Sequence, residues 1–385
     1  MRRILIEGGL TLLPEHGMQP AAVLVEDGLI AEIDHASGPR PDLVLNARGL
    51  LVLPGLVDLH GDWFELLVQP RPGVGFPLDL ALAQADRQFL LNGVTTAYLA
   101  QGCSWEGGLR GVPAATALVE WLAAHRSRLG CDMRVHLRHE IFHVDAVPIV
   151  EAWLANGGIQ MLVLNEHLAE YETRIENPAK LAFWAAKCGH DTTSFIAAIR
   201  AARAREAEVA PTLARLCAAA RAAGVPIGSH DDPDPATRAS FSALGANIAE
   251  FPLSRATAAA ARAAGEPVIM GAPNVLRGGS SAGNASAADI IADGNCDALC
   301  SDYYIPSMLA APFRLVRGGI VTMEAAWDLV SGGPARAVGL DDRGAIAAGR
   351  RADLLLVDAS TPEAPRVVAA IGAGQLLHAE AQVLG

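Results

Sequence analysis

No window of the sequence holds the roughly 18 consecutive apolar residues of a membrane-spanning helix, which argues against a membrane protein. The N-terminus, "MRRILIEGGLTLLPEHG", is basic at its start but has no sustained apolar core. Glu7, Gly8 and Gly9 interrupt it, so it reads as a strand and turn rather than a signal peptide, and the cytoplasm is the expected compartment. Cysteine is sparse. The closest pair of the six, Cys296 and Cys300, is four apart, a spacing that matches neither a zinc ribbon nor a redox motif, so reduced core thiols are expected. Basic charge is short as well. Lys and Arg total 30 against 42 acids, a formal charge of -12, which argues against nucleic acid as a partner, since that needs a basic excess. A small anionic substrate held by a few arginines and a metal remains compatible. Finally, no Gly-x-Gly-x-x-Gly turn follows the first strand of the central region, so a dinucleotide site is not expected.

What is present is apolar bulk. Half of the residues are hydrophobic and the mean hydropathy is positive, enough to bury one large core and a small one. Both ends carry short apolar runs between Gly, Pro and charged turns: "RRILIEG", "AAVLVEDGLIAEID" and "LVLNARG" at the start, "GAIAAGRRADLLLVDAS" and "QLLHAEAQVL" at the close. They predict small antiparallel strands and a side domain assembled from both termini, residues 1–52 plus 345–385.

Between them, over 53–344, eight strand-like runs alternate with alanine-rich helical stretches: "GLVDLH", "VTTAYLA", "MRVHLRHE", "IQMLVLNEH", "VPIGSH", "NIAEFP", "PVIMGAP" and "DALCSDY". Repeated strand–helix units predict a parallel sheet, and eight close a barrel. The stretch 194–224 reads as helical, with Gly224 as its stop.

Five of these runs end in possible metal ligands. The first ends in His60-Gly61-Asp62, the third in His139 and Glu140, the fourth in Asn165-Glu166-His167, the fifth in Ser229-His230-Asp231-Asp232 and the eighth in Ser301-Asp302. In a parallel barrel all strand ends meet on one face, where active sites are built. The period of two along a strand lets His60 and Asp62 reach one ion. Singly, each has a plainer explanation, such as Asp231 or Asp232 capping the next helix. Together, His60, Asp62, Glu140, His167, His230 and Asp302 form a mixed nitrogen and oxygen set suited to two divalent ions, Zn or Mn, with Glu140 as the bridge. Two such ions activate a shared water, and Asp302 is placed to take its proton and pass it to the leaving group.

With these residues in place, the sequence resembles the amidohydrolase superfamily of (β/α)8 TIM-barrel hydrolases, whose barrel carries a small β-sandwich side domain. The stretches "PGLVDLHGDWFE" with "PRPGV", "LRHE", "NEH", "SHDD", "GAPNVLRGGSSAGN" and "SDYY" resemble its branch of ribosyl phosphonate triphosphate diphosphatases over nearly the whole chain. The resemblance implies hydrolysis of a ribosyl alkylphosphonate 5-triphosphate to pyrophosphate and the 5-phosphate by attack of metal-activated water on the α-phosphorus. It also suggests a homo-oligomer. Arg71, in "QPRPG", and Arg277 are the candidate phosphate-binding cations, with Gly278 and Gly279 offering backbone N–H groups. Two stretches depart from the branch: the segment after His167, "NEHLAEYETRIENPAKLAFWAAKCGHDTTSF", and "HGDWFE", which would put Trp63 in the pocket. Residues 105–112 are a candidate loop over the site. The alternative is a hydrolase of a C–N bond in an amide or lactam, whose pocket would need mainly apolar walls.

Overall fold

Apolar runs buried on both faces need helices on either side, and the middle of the chain supplies them. The computed structural model describes residues 3–35, 40–280 and 283–384. Met1 and Arg2 of the first apolar run, and Ser281 and Ala282 of the glycine-rich segment, lie outside these residues. Eight parallel strands, Leu56–Gly61, Val94–Cys103, Asp132–Glu140, Met161–Asn165, Ile227–His230, Ile248–Glu250, Val268–Gly271 and Ala298–Cys300, pair in chain order. They are numbered one to eight below. A parallel bridge between Gly61 and Asp302 brings strand eight back to strand one, and the sheet closes as a (β/α)8 barrel.

Asp58 fastens that closure. Its carboxylate accepts hydrogen bonds from Ser301 N (2.9 Å) and Ser301 Oγ (2.6 Å), across the seam and fully buried. Asp302 N donates to His60 O (2.7 Å) and Asp62 N to Asp302 O (3.1 Å), so the seam also sets the two carboxylates side by side. Asp58→Ala would leave Ser301 N unpaired, at about 1–3 kcal/mol, and Ser301 Oγ with only its long bond to His60 O (3.5 Å). The urea unfolding midpoint should fall accordingly; an unchanged midpoint would show that the seam closes without this contact.

The termini build two further sheets. One has four strands, in the order Leu29–Ile33, Val23–Glu26, Ile4–Glu7, Leu43–Asn46. The other has six, in the order Gln375–Ala379, Arg366–Gly372, Leu354–Asp358, Leu51–Pro54, Leu10–Leu13, Gly17–Pro20. Ile4, Val25 and Leu45 of the first pack with Val52, Leu356 and Val368 of the second in one sandwich core. The expectation of antiparallel strands holds only in part. Ile4–Glu7 runs parallel to Leu43–Asn46, and Leu10–Leu13 parallel to Leu51–Pro54. Alternation in a short run tells which face is buried and says nothing of a neighbour's direction.

The stretch 194–224 forms two helices, Thr192–Arg203 and Glu206–Ala222, with Gly224 in the left-handed region (φ +67°) ending the second. The six cysteines are free thiols, five of them buried. No described helix is long and apolar enough to cross a membrane.

Candidate active site

The ends of strand one and of strands three to eight open into a cavity of about 310 Å³ at the C-terminal face of the barrel. His60 and Asp62 point into it from strand one, and Asp302 faces them across the seam; ligand atoms of the three lie within 4.8 Å of one another. A second such group joins His167, His230 and Asp231. Asp231 is therefore not a helix cap. The next helix, Pro235–Ala243, is capped by Asp234, while Asp232 turns inward to Arg238 and Ser229. Asp231 and Asp302 both have positive φ, 58° and 52°, a conformation that Asp tolerates better than most residues and that aims both carboxylates at the cavity.

Strand six contributes a residue that the sequence reading passed over. Glu250 is fully buried; its Oε2 accepts from His230 Nδ1 (2.7 Å) and its Oε1 lies 2.9 Å from His60 Nδ1. One carboxylate thus faces the inner nitrogens of two imidazoles stacked 5.5 Å apart, hydrogen-bonded to that of His230 and close to that of His60. A proton on His230 Nδ1, held by this hydrogen bond, leaves Nε2 as a lone pair toward the cavity, the tautomer that binds metal, and the Glu250 charge beside His60 Nδ1 favours the same tautomer there. Glu140 does the same for His167, with Oε2 3.1 Å from Nδ1 and Oε1 accepting from the His167 N–H. Glu140 itself is buried beside Glu106 and His167, apart from His60, Asp62 and Asp302.

Along strand three the period of two sends His136, Arg138 and Glu140 inward and His139 away from the site. His136 is buried, with Nδ1 2.9 Å from Leu59 O, and neighbours Glu250. The Arg138 guanidinium lies between the two donor groups: one terminal nitrogen is 3.4 Å from Asp62 Oδ2 and the other 3.2 Å from His230 Nε2.

The electrostatics of the cavity are those of a carboxylate-rich pocket. Burial, with Asp62 close by, pushes the Asp302 carboxyl up to about 7, and burial pushes Asp231 up to about 6. Burial together with the Arg138 charge holds His60 and His230 well below the ordinary imidazole range. Neutral imidazoles and carboxylates crowded together are a donor set that a bound divalent cation stabilises. Three imidazoles and three carboxylates are donors that fit divalent-metal chemistry.

Three guanidiniums line this cavity: Arg138, Arg110 and Arg174. Arg110 arrives on the loop 105–112, beside Glu65 and Glu106 (3.9 Å each). Arg174 closes the helix Leu168–Arg174 in the divergent segment after His167; its guanidinium lies 4.5 Å from the Tyr171 ring and 4.4 Å from that of Trp184, on the helix Pro178–Lys187. Tyr171 in turn donates to the buried Glu106. Arg71 lines an adjoining groove with Lys187, and that groove shares Asp62, Arg110 and Tyr303 with the main cavity. Arg277 ends the short helix Ala272–Arg277, is exposed, and donates to Tyr303 Oη (3.1 Å). Gly278 caps that helix in the left-handed region, whereas Gly279 reaches the cavity wall with its N–H engaged by Asn274 O. Trp63 is 6% exposed and packs edge-on against Phe89 beneath the side groove.

A closed parallel barrel with a two-sheet side domain, and imidazoles and carboxylates gathered at its strand ends, defines the class: an amidohydrolase-type (β/α)8 enzyme. No protein-family model matches the chain. The alpha-D-ribose 1-methylphosphonate 5-triphosphate diphosphatase of Escherichia coli (strain K12) is 30% identical to it over 367 residues, covering 91% of this chain and 94% of that one. Among solved structures, a dihydropyrimidinase from Brevibacillus agri superposes with a TM-score of 0.68 at 14% identity, covering 99% of this chain and 96% of that one. An amidohydrolase superposes at 0.64 and 16% identity, covering 98% and 100%. The chain belongs to the amidohydrolase superfamily and, within it, to the family of the ribosyl phosphonate triphosphate diphosphatase.

Proposed function

We propose that this hydrolase cleaves a ribosyl alkylphosphonate 5-triphosphate between its α- and β-phosphates, releasing pyrophosphate and leaving the 5-phosphate. The observation that carries the reading is the convergence of Arg110, Arg138 and Arg174 on the cavity that also holds both donor groups. A C–N hydrolase needs mostly apolar walls and one or two polar contacts, whereas a triphosphate needs several cations. The kinship with the diphosphatase supports the same substrate class.

Guanidiniums alone do not make the cavity cationic. Asp62, Glu170, Asp231 and Asp302 line it against three arginines, so a polyanion also needs metal charge there. A divalent ion held by His60, Asp62 and Asp302 would supply that charge and would make a water beside it more acidic. Asp302 takes the proton of the attacking water, a role that suits a carboxyl raised toward neutrality. Arg174, packed against the Tyr171 and Trp184 rings and paired with Glu170, and Arg110 bind the β- and γ-phosphates so that pyrophosphate leaves opposite the incoming oxygen. The water contributes its oxygen to the α-phosphorus, and the bond to the bridging oxygen of pyrophosphate breaks.

Steady-state pyrophosphate release by wild type and Arg174→Ala tests this. One charge-assisted contact is worth about 1.5–3 kcal/mol, so KM for the triphosphate should rise by ~10–100-fold with the thermal midpoint kept. An unchanged KM and kcat in Arg174→Ala would remove the arginine cluster as the phosphate site. Dialysis against a chelator should abolish turnover, and a divalent ion should restore it. Full activity after chelation would contradict the metal assignment.

A further inference from the structure

Six donors in two groups suggest a pair of ions, but the lone pairs tell otherwise. The His230 Nδ1 proton goes to Glu250, which leaves Nε2 as its one available lone pair, and Arg138 donates to that nitrogen at 3.2 Å. Arg138 is 9% exposed, so it has no easy path out to solvent, and a guanidinium does not give up its charge. The second group is therefore left with His167 and Asp231, too few protein donors for a firm site, and the cluster of Glu106, Glu140 and His167 is occupied by its own bonds, Glu140 accepting from the His167 imidazole and N–H and Glu106 from Tyr171 and Ser104. The first group loses nothing: Arg138 contacts only Oδ2 of Asp62, and Oδ1, His60 Nε2 and Asp302 remain.

We propose that the site binds one divalent ion, at His60, Asp62 and Asp302, and that the Arg138 guanidinium stands permanently where a second ion would sit. The inference rests on reading these side chains as metal ligands and is independent of the substrate. It gives Arg138 a definite task, a fixed positive charge between the donor groups, in contact with one member of each. A dication at the second group would face that charge at close range with little screening, and this repulsion excludes it.

The test is metal content per chain, by elemental analysis after equilibration with excess Zn and desalting, on wild type, Arg138→Met, His230→Asn and His60→Asn. The proposal expects one ion in wild type, two in Arg138→Met, one in His230→Asn and none in His60→Asn. Two ions in wild type would overturn it, as would loss of the ion in His230→Asn to the same degree as in His60→Asn. Should Arg138→Met fail to fold, the wild-type count and the two histidine variants still decide. No ion in wild type would overturn both the proposal and the ligand assignment, whereas pyrophosphate release, measured separately, judges the substrate. A wild-type chain with one ion and no triphosphate hydrolysis would therefore keep this inference while removing the other.

Discussion

Asp302→Asn should lower kcat by about 10²–10⁴ while leaving the fold intact. Asp302 sits at φ +52°, and Asn accepts that left-handed conformation as readily as Asp. Its main-chain bonds to His60 and Asp62, which help to close the barrel, need no side chain and persist in the variant. The amide keeps an oxygen for the metal but cannot take a proton. Thermal midpoint and metal content should therefore change little beside the loss of turnover. A variant with wild-type kcat would show that the proton leaves by another group, with Asp231, also raised by burial, the next to examine.

Glu250→Gln should cost about 10–100-fold in metal affinity, although the new side chain has nearly the same shape. The carboxylate faces two imidazoles with two acceptor oxygens, one toward each Nδ1. Glutamine has one acceptor and one donor. One imidazole must then turn its Nδ1 lone pair to the amide and point an N–H at the cavity, where a ligand nitrogen is needed. If His60 makes the change, the ion loses its only nitrogen ligand; if His230 does, an N–H is forced against Arg138. Competitive titration with a chelating dye measures the affinity. Equal affinities in wild type and Glu250→Gln would mean that the tautomers are fixed by something other than this carboxylate.

Much of this was legible in the sequence because strand periodicity and strand ends are local signals. The eight runs named from apolar content coincide with the eight barrel strands, and His60, Asp62, His167, His230 and Asp302 come together at one end because a parallel barrel leaves them no other arrangement. What was not legible depended on direction or on distant partners. Glu250 ends a short strand in "NIAEFP" as an ordinary acid, and only its packing between His60 and His230 gives it meaning. In "HLRHE" the adjacent His139 and Glu140 look like a pair. The period of two sets them on opposite faces, and it sends Arg138, which sequence reasoning did not select, into the centre of the site.

The phosphate-binding cations were the least readable part. A glycine-rich segment drew attention to Arg277, yet the chain turns there into a short helix that carries the guanidinium outward to Tyr303. Arg110 belongs to no motif and is delivered by a loop. Arg174 lies in the segment that departs most from the family pattern, and that segment returns a cation to the cavity on a helix anchored through Tyr171 to Glu106.

The proposed reaction is attack of water on the α-phosphorus of a ribosyl phosphonate triphosphate. Phosphorus NMR of the metal-replete protein with ribose 1-methylphosphonate 5-triphosphate in ¹⁸O-enriched water tests it most directly. Unlabelled pyrophosphate and a 5-phosphate carrying one ¹⁸O are expected, with nucleoside triphosphates turned over far more slowly. Label in pyrophosphate or in inorganic phosphate, or no turnover of the triphosphate while an amide or lactam is opened by the same protein, would contradict it.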